Sequence, residues 1–392
     1  MSRIVLGIVA MVGVCASGVG AFSLVSSPGT ATASEIVALC VSEGEKCYER
    51  EVPKLYPALS ISEAFSVIRE IRAADPSYQF CHVLAHKLGE AVVAEDPAKW
   101  LDAIALNPSD NLCSNGFIHG IFVGRYRDDV LDERRMQEAL PELEIACEPH
   151  GEWHPSPLDQ AICYHGMGHV FMFLTNADFR RALDACNAIG ESLTGNFLRV
   201  CREGVFMQIY QPLEPDDFAL VELLPEKPSA ENYRRLCKTH SETLEEEGAC
   251  LREAWPLFRT GITDGSGIVE FCSAQPNDVE TDACYQTATA IVGRMSLGNQ
   301  DQAVKACGLL PPSRQVECFS TVAQTRLEEG QTNGEKAIAV CAAAPAPVAG
   351  DCLGILARRA SFIFPPASAE RSRFCLLVPE DVRSLCMGQA PR

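Results

Sequence analysis

The stretch AVKACGLLPPSRQVECFSTVAQTRL (303–327) is followed by AIAVCAAAPAPVAGDCLGILARRA (337–360), and laying one on the other aligns Cys307 with Cys341 and Cys318 with Cys352. Each stretch carries apolar residues at helical spacing on both sides of a turn rich in Pro, Gly or Ser. The register runs on: Cys250, Cys284, Cys318, Cys352 and Cys386 stand 34 residues apart. A second series, Cys237, Cys272, Cys307, Cys341 and Cys375, precedes them by 13, 12, 11, 11 and 11 residues. The first Cys of a unit is predicted to close helix A and the second to open helix B, so that both sulfurs meet at one end of a hairpin. A fixed period of this length marks an array of units, each unable to bury its apolar face until a neighbour stacks on it. The predicted fold is all-α, a right-handed α-solenoid of about nine helical hairpins with disulfides between or within hairpins.

Upstream, the second-helix Cys recurs at Cys201, Cys163, Cys113, Cys81 and Cys47 at irregular spacing, with first-helix partners at Cys186, Cys147 and Cys40. Two units lack a first-helix Cys, which leaves Cys81 and Cys113 to pair with each other. The expected bridges are therefore Cys40–Cys47, Cys81–Cys113, Cys147–Cys163, Cys186–Cys201, Cys237–Cys250, Cys272–Cys284, Cys307–Cys318, Cys341–Cys352 and Cys375–Cys386. Over residues 230–388 the hairpins resemble tetratricopeptide-type and Sel1-like repeat proteins, and the stapling is similar to that of cysteine-rich Sel1-like proteins. The resemblance is architectural and implies no particular activity.

The chain has 392 residues and 19 Cys, and setting Cys15 aside leaves an even 18. Such density points to an oxidising compartment, periplasmic or secreted, because cytosolic thiols stay reduced. Arg3 precedes an apolar stretch, Ile4 to Val25, and Ala31-Thr32-Ala33 offers a small-residue cleavage pattern. Residues 1–33 read as a signal peptide, or as an uncleaved signal anchor in which residues 4–25 tether the protein to a membrane. A formal charge of −19 excludes a nucleic-acid partner, since phosphate binding needs a basic face.

The organisation expected is an irregular helical half at 34–210, a Pro- and acid-rich connection at 211–231, and a regular stapled half at 232–392. The connection lies within QPLEPDDFALVELLPEKPSAEN (211–232) and reads as a packed loop. SEAFSVIREIRAA (62–74) and RRALDACNAIGESL (180–193) read as first helices, with Ser62 and Asp178 as N-caps.

Five of the chain's eight His fall in four second-helix segments: CHVLAHKLGEAV (81–92), CSNGFIHGIFVGRY (113–126), CYHGMGHVFMFL (163–174) and CREGVFMQIYQ (201–211). Aligned, with the first slipped by one residue, they give a column of His82, Asn115, His165 and Glu203. Four residues on comes a second column of His86, His119, His169 and Met207. Residues four apart on a helix have Cβ atoms about 5–6 Å apart, close enough for two imidazoles to chelate one ion. Gly89, Gly116, Gly120, Gly166, Gly168 and Gly204 interrupt the same segments, where each costs up to about 1 kcal/mol against Ala, and close helix approach is the usual compensation.

The candidate metal ligands are His82, His86, His119, His165, His169 and Glu203. Packed helices stand about 8–10 Å apart, so ions shared by neighbours are expected: His119, His165 and His169 completed by Glu203, and separately His82 with His86, with His119 as a ligand they could share. His150 and His154, in EPHGEWHPSP (148–157), are within reach of the first group. Imidazole with carboxylate suits Zn, Cu or Fe, with Glu203 as ligand or as general base to a metal-bound water. The function expected is an exported metalloprotein, with a metal-dependent oxidoreductase or hydrolase activity. The alternatives are a repeat scaffold that binds a protein or peptide in its concave groove, and metal storage or delivery.

Overall fold

Ser60 starts the first well-capped helix: its hydroxyl accepts from the Glu63 backbone N–H, and Glu63 accepts in return from the Ser60 N–H at 2.8 Å. This reciprocal box places the N-cap of helix Ile61–Ala74 at Ser60, correcting Ser62. Asp178 caps Phe179–Ile189 by accepting from Arg181 N at 3.2 Å.

The structure, a computed structural model, describes residues 28–388 apart from 76–77, 79–80, 109–111, 127–129, 191–194, 329, 331–332 and 366–367. Cys15 and the apolar stretch 4–25 lie outside the described residues. Among the described residues the chain is all-helical and has no strand, with an isolated bridge between His150 and Trp153. No described helix is long and apolar enough to cross a membrane.

The second helices form the row that positions the histidines. They are α1 (His82–Glu95), α2 (Gly116–Tyr126), α3 (Pro157–Leu174), α4 (Leu198–Tyr210), α6 (Leu244–Glu253), α7 (Asp278–Met295), α8 (Pro312–Glu328), α9 (Ala346–Ile363) and α10 (Glu380–Cys386), with α5 (Pro215–Glu222) lying between α4 and α6 in sequence. Each second helix packs on the next in the row, and the first helices, such as Gln300–Gly308 and Gly334–Ala342, pack against them from outside the row. α9 also reaches α3, and Leu158 and Ile162 of α3 join the apolar core of the C-terminal helices, so the row turns back toward its own beginning. The N-terminal apolar core runs without a break through Leu220, Leu224, Tyr233 and Leu236, across the 211–231 connection, which folds in part as α5.

Nine disulfides join the described Cys residues in the pairs given above, with Cα–Cα distances from 4.9 to 5.7 Å. That number of bridges belongs to an oxidising, extracytoplasmic environment. The second Cys does not always open its helix. Cys163 sits in the second turn of α3, because Ser156 caps that helix with Asp159 and Pro157 supplies its first residue.

Backbone contact of α1 with α2, and of α3 with α4, depends on glycine. A Cβ on Gly120 would lie 1.9 Å from the His86 carbonyl oxygen, and one on Gly204 would lie 2.0 Å from that of His165. Both distances are far inside contact, so any side chain here would push the helices apart.

The Cys307–Cys318 bridge closes a loop with a sequence separation of 11. By loop-closure entropy, a Cys307→Ser/Cys318→Ser variant is expected to lose about 3 kcal/mol of stability in urea denaturation. An unchanged midpoint would show that stacking alone holds the hairpin.

Candidate metal centre

α1 presents His82, His86 and Glu90 at successive i+4 positions on one face, and α2 brings His119 against them. The rings meet: centroids are 5.5 Å apart for His82 and His86, 5.1 Å for His82 and His119, and 5.8 Å for His86 and His119. One nitrogen of each of the three lies within 4.8 Å of the others. Gly166 of α3 completes the seat of His119, since a Cβ there would stand 2.2 Å from the His119 ring.

The remaining nitrogens are tied down. His82 Nδ1 lies 3.2 Å from the Cys113 carbonyl and His119 Nε2 lies 3.2 Å from the Ile162 carbonyl. A carbonyl only accepts, so each of these nitrogens carries the N–H of a neutral ring, and the opposite nitrogen keeps its lone pair. Metal-ligating His are held by this kind of outer hydrogen bond.

A carboxylate arrives from outside the row. Glu214, the residue before α5, places Oε2 3.7 Å from His86 Nδ1 and Oε1 2.9 Å from Lys87 Nζ. His86, Glu90 and Glu214 form a second convergent group that shares His86 with the first. Asp217 holds this loop by accepting from the backbone N–H groups of Leu213 and Glu214, each at 2.8 Å. Its other oxygen accepts from Gln208 Nε2 at 2.5 Å, and Gln208 Oε1 accepts from His169 Nδ1 at 2.6 Å. Together His82, His86, His119, His169, Gln208 and Glu214 line a void of about 40 Å³, room for an ion and a water. An apolar groove of about 280 Å³, lined by Phe122, Tyr126, Leu220 and Leu223, adjoins it across Val123, Val170 and Phe173.

Burial favours the neutral form of His82, His119, His165 and His169. His82 is lowered to about 3, first by desolvation and then by the charges of His86 and His169. Burial likewise carries His119 and His165 well below their ordinary value, and lowers His169. For Glu214 burial pulls upward, but His86 and Lys87 outweigh it and hold the carboxyl at about 2.

Some of the expected residues stand apart from the group of three. Glu203 is engaged elsewhere: its carboxylate accepts from Arg252 Nε at 2.8 Å, and the fully buried Arg252 also bonds Glu280. A buried guanidinium needs such partners, and that need outranks a place among the imidazoles. His165 lies outside the His82–His86–His119 group and faces Met207 of α4, although His169 touches both His165 and His119, at centroid distances of 5.0 and 5.6 Å. His150 turns its ring to the carbonyls of Glu148 and Leu101, at 2.7 and 3.2 Å, while His154 is exposed, so neither joins the cluster. The side chain of Asn115 lies outside the described structure.

Glu90, Glu214, Gln208 and Asp217 escaped the sequence reading. Glu90 extends the His82/His86 ladder by one more i+4 step, and Glu214-Pro215-Asp216-Asp217 carries the Pro and acids of a helix start. Comparison with protein-family models, curated proteins and solved structures finds no match for this chain.

The neutral rings set a sign for pH dependence. An unfolded imidazole titrates near 6.5, and the folded ones only at lower pH, so in between the unfolded chain binds more protons and stability falls with falling pH. Glu253 and Glu49, raised by burial, act in the opposite direction, two groups against five once His240, also lowered by burial, is counted. The metal-free protein is therefore expected to lose urea resistance steadily below about pH 6.5. Equal midpoints at about pH 7.5 and about pH 5 would contradict the neutral cluster.

Proposed function

We propose that this is an extracytoplasmic metal-binding protein in which His82, His86 and His119 hold a transition-metal ion and Glu214 supplies the carboxylate. The observation that carries the reading is the convergence of three imidazole nitrogens within 4.8 Å, two of the rings being fixed from behind by the Cys113 and Ile162 carbonyls. Neutral, pre-oriented imidazole is the ligating form, and three His with a carboxylate suit Zn, Cu or Fe. The scaffold is a right-handed α-solenoid of disulfide-stapled hairpins, similar in architecture to tetratricopeptide-type and Sel1-like repeats, and residues 1–33 direct its export.

The size of the void favours holding an ion over binding a peptide. About 40 Å³ accommodates the ion and a water but no side chain of a partner. A catalytic use of the ion, as an oxidoreductase or hydrolase, is the second reading. It is favoured by the 280 Å³ apolar groove, which would bring a small apolar substrate next to the ion.

Protein purified from an oxidising compartment is expected to contain stoichiometric metal by elemental analysis. A His82→Ala/His119→Ala variant should lose it, and Glu214→Gln should weaken it by about 10–100-fold. Absence of stoichiometric metal after metal-replete growth would remove the proposal.

A further inference from the structure

The donors at the metal centre do not close into one group. His82, His86 and His119 each bring a nitrogen within 4.8 Å of the others, and His86, Glu90 and Glu214 bring a second set of atoms within the same distance, with His86 common to both. The helix explains the division. His82, His86 and Glu90 follow one another at i+4 on α1, so at about 1.5 Å per residue His82 and Glu90 stand about 6 Å to either side of His86 along the axis. An ion binds its donors at about 2.0–2.2 Å and therefore serves one group at a time.

His86 is placed to take part in both. Its Nδ1 is buried and makes no hydrogen bond among the described residues, and Glu214 Oε2, at 3.7 Å, lies beyond hydrogen-bond reach. His82, His119 and His169, by contrast, each have a ring nitrogen bonded, to the Cys113 carbonyl, the Ile162 carbonyl and Gln208. A buried polar atom without a partner is destabilising, and a cation between His86 Nδ1 and the carboxylate removes that cost. The spacing suits one: two ligands of a tetrahedral ion stand about 3.4 Å apart. Lys87 Nζ, 2.9 Å from Glu214 Oε1, steadies the carboxylate from its other side.

We propose, on the reading of His82, His86 and His119 as a metal site, that the centre holds a pair of divalent cations, the second bound by His86 Nδ1, Glu90 and Glu214, with the His86 ring between the two ions. A ring joined to two ions uses both nitrogens, so His86 gives its N–H proton to solvent and bridges as imidazolate. Two carboxylates with one imidazole make a harder donor set than three imidazoles, and their charge suits a divalent ion.

The test is a titration of chelator-stripped, disulfide-bonded protein with Zn(II) by calorimetry, and with Cu(II) followed by electron paramagnetic resonance. Two equivalents of Zn(II) are expected to bind. Glu90→Gln, which keeps the side chain's shape, should weaken the second equivalent at least about tenfold and leave the first. In the unaltered protein the resonance of the first Cu(II) should fall as the second is added, because ions on either side of one imidazolate couple magnetically. A single equivalent, two equivalents untouched by Glu90→Gln, or two Cu(II) whose signals add would overturn the pair and leave the single-ion reading standing. No metal bound at all would remove that reading and the pair together.

Discussion

The close approach of consecutive second helices is the constraint on which the rest depends. α1 touches α2, and α3 touches α4, backbone to backbone at glycines: Gly120 lies over the His86 carbonyl, Gly168 over that of Cys201 and Gly204 over that of His165, while between α2 and α3 the His119 ring lies on Gly166. With the seam closed, five rings form an unbroken chain of contacts from His82 and His86 through His119 and His169 to His165. On α6 and α7, Gly248 and Gly293 are instead covered by side chains, those of Glu280 and Thr325.

That seam also fixes the electrostatics. Close packing excludes water, which disfavours charged imidazolium and leaves neutral rings with directed lone pairs. The same exclusion forces other charges into pairs further along the row. Arg252 is fully buried between Glu203 and Glu280, and Arg326 bonds the Gly293 and Ser296 carbonyls at 2.6 and 2.7 Å. The row thus passes from neutral donor groups at α1–α3 to buried ion pairs at α4–α8, two answers to the same shortage of solvent.

The helical class and the Cys pairs were legible because a 34-residue register is a property of the sequence itself. The columns of His were legible for the same reason, since Cys positions align second helices that otherwise look unrelated. The limits were physical. Glu203 sits in the right column, but the guanidinium that claims it comes from Arg252, 49 positions on, and no local pattern announces a buried ion pair. Glu214 lies in a stretch that reads as a spacer, and only the fold over α5 brings it to His86. The lone-pair directions at His82 and His119 depend on the carbonyls of Cys113 and Ile162, groups that every residue possesses and that therefore leave no trace in composition or spacing.

Anomalous diffraction at the metal edge, from crystals of the metal-loaded protein, tests most directly whether the closed seam builds a metal centre. The account predicts a peak about 2.0–2.2 Å from one ring nitrogen each of His82, His86 and His119, with α1 and α2 in backbone contact at Gly120. A map with the helices in contact and no peak among these rings would contradict it.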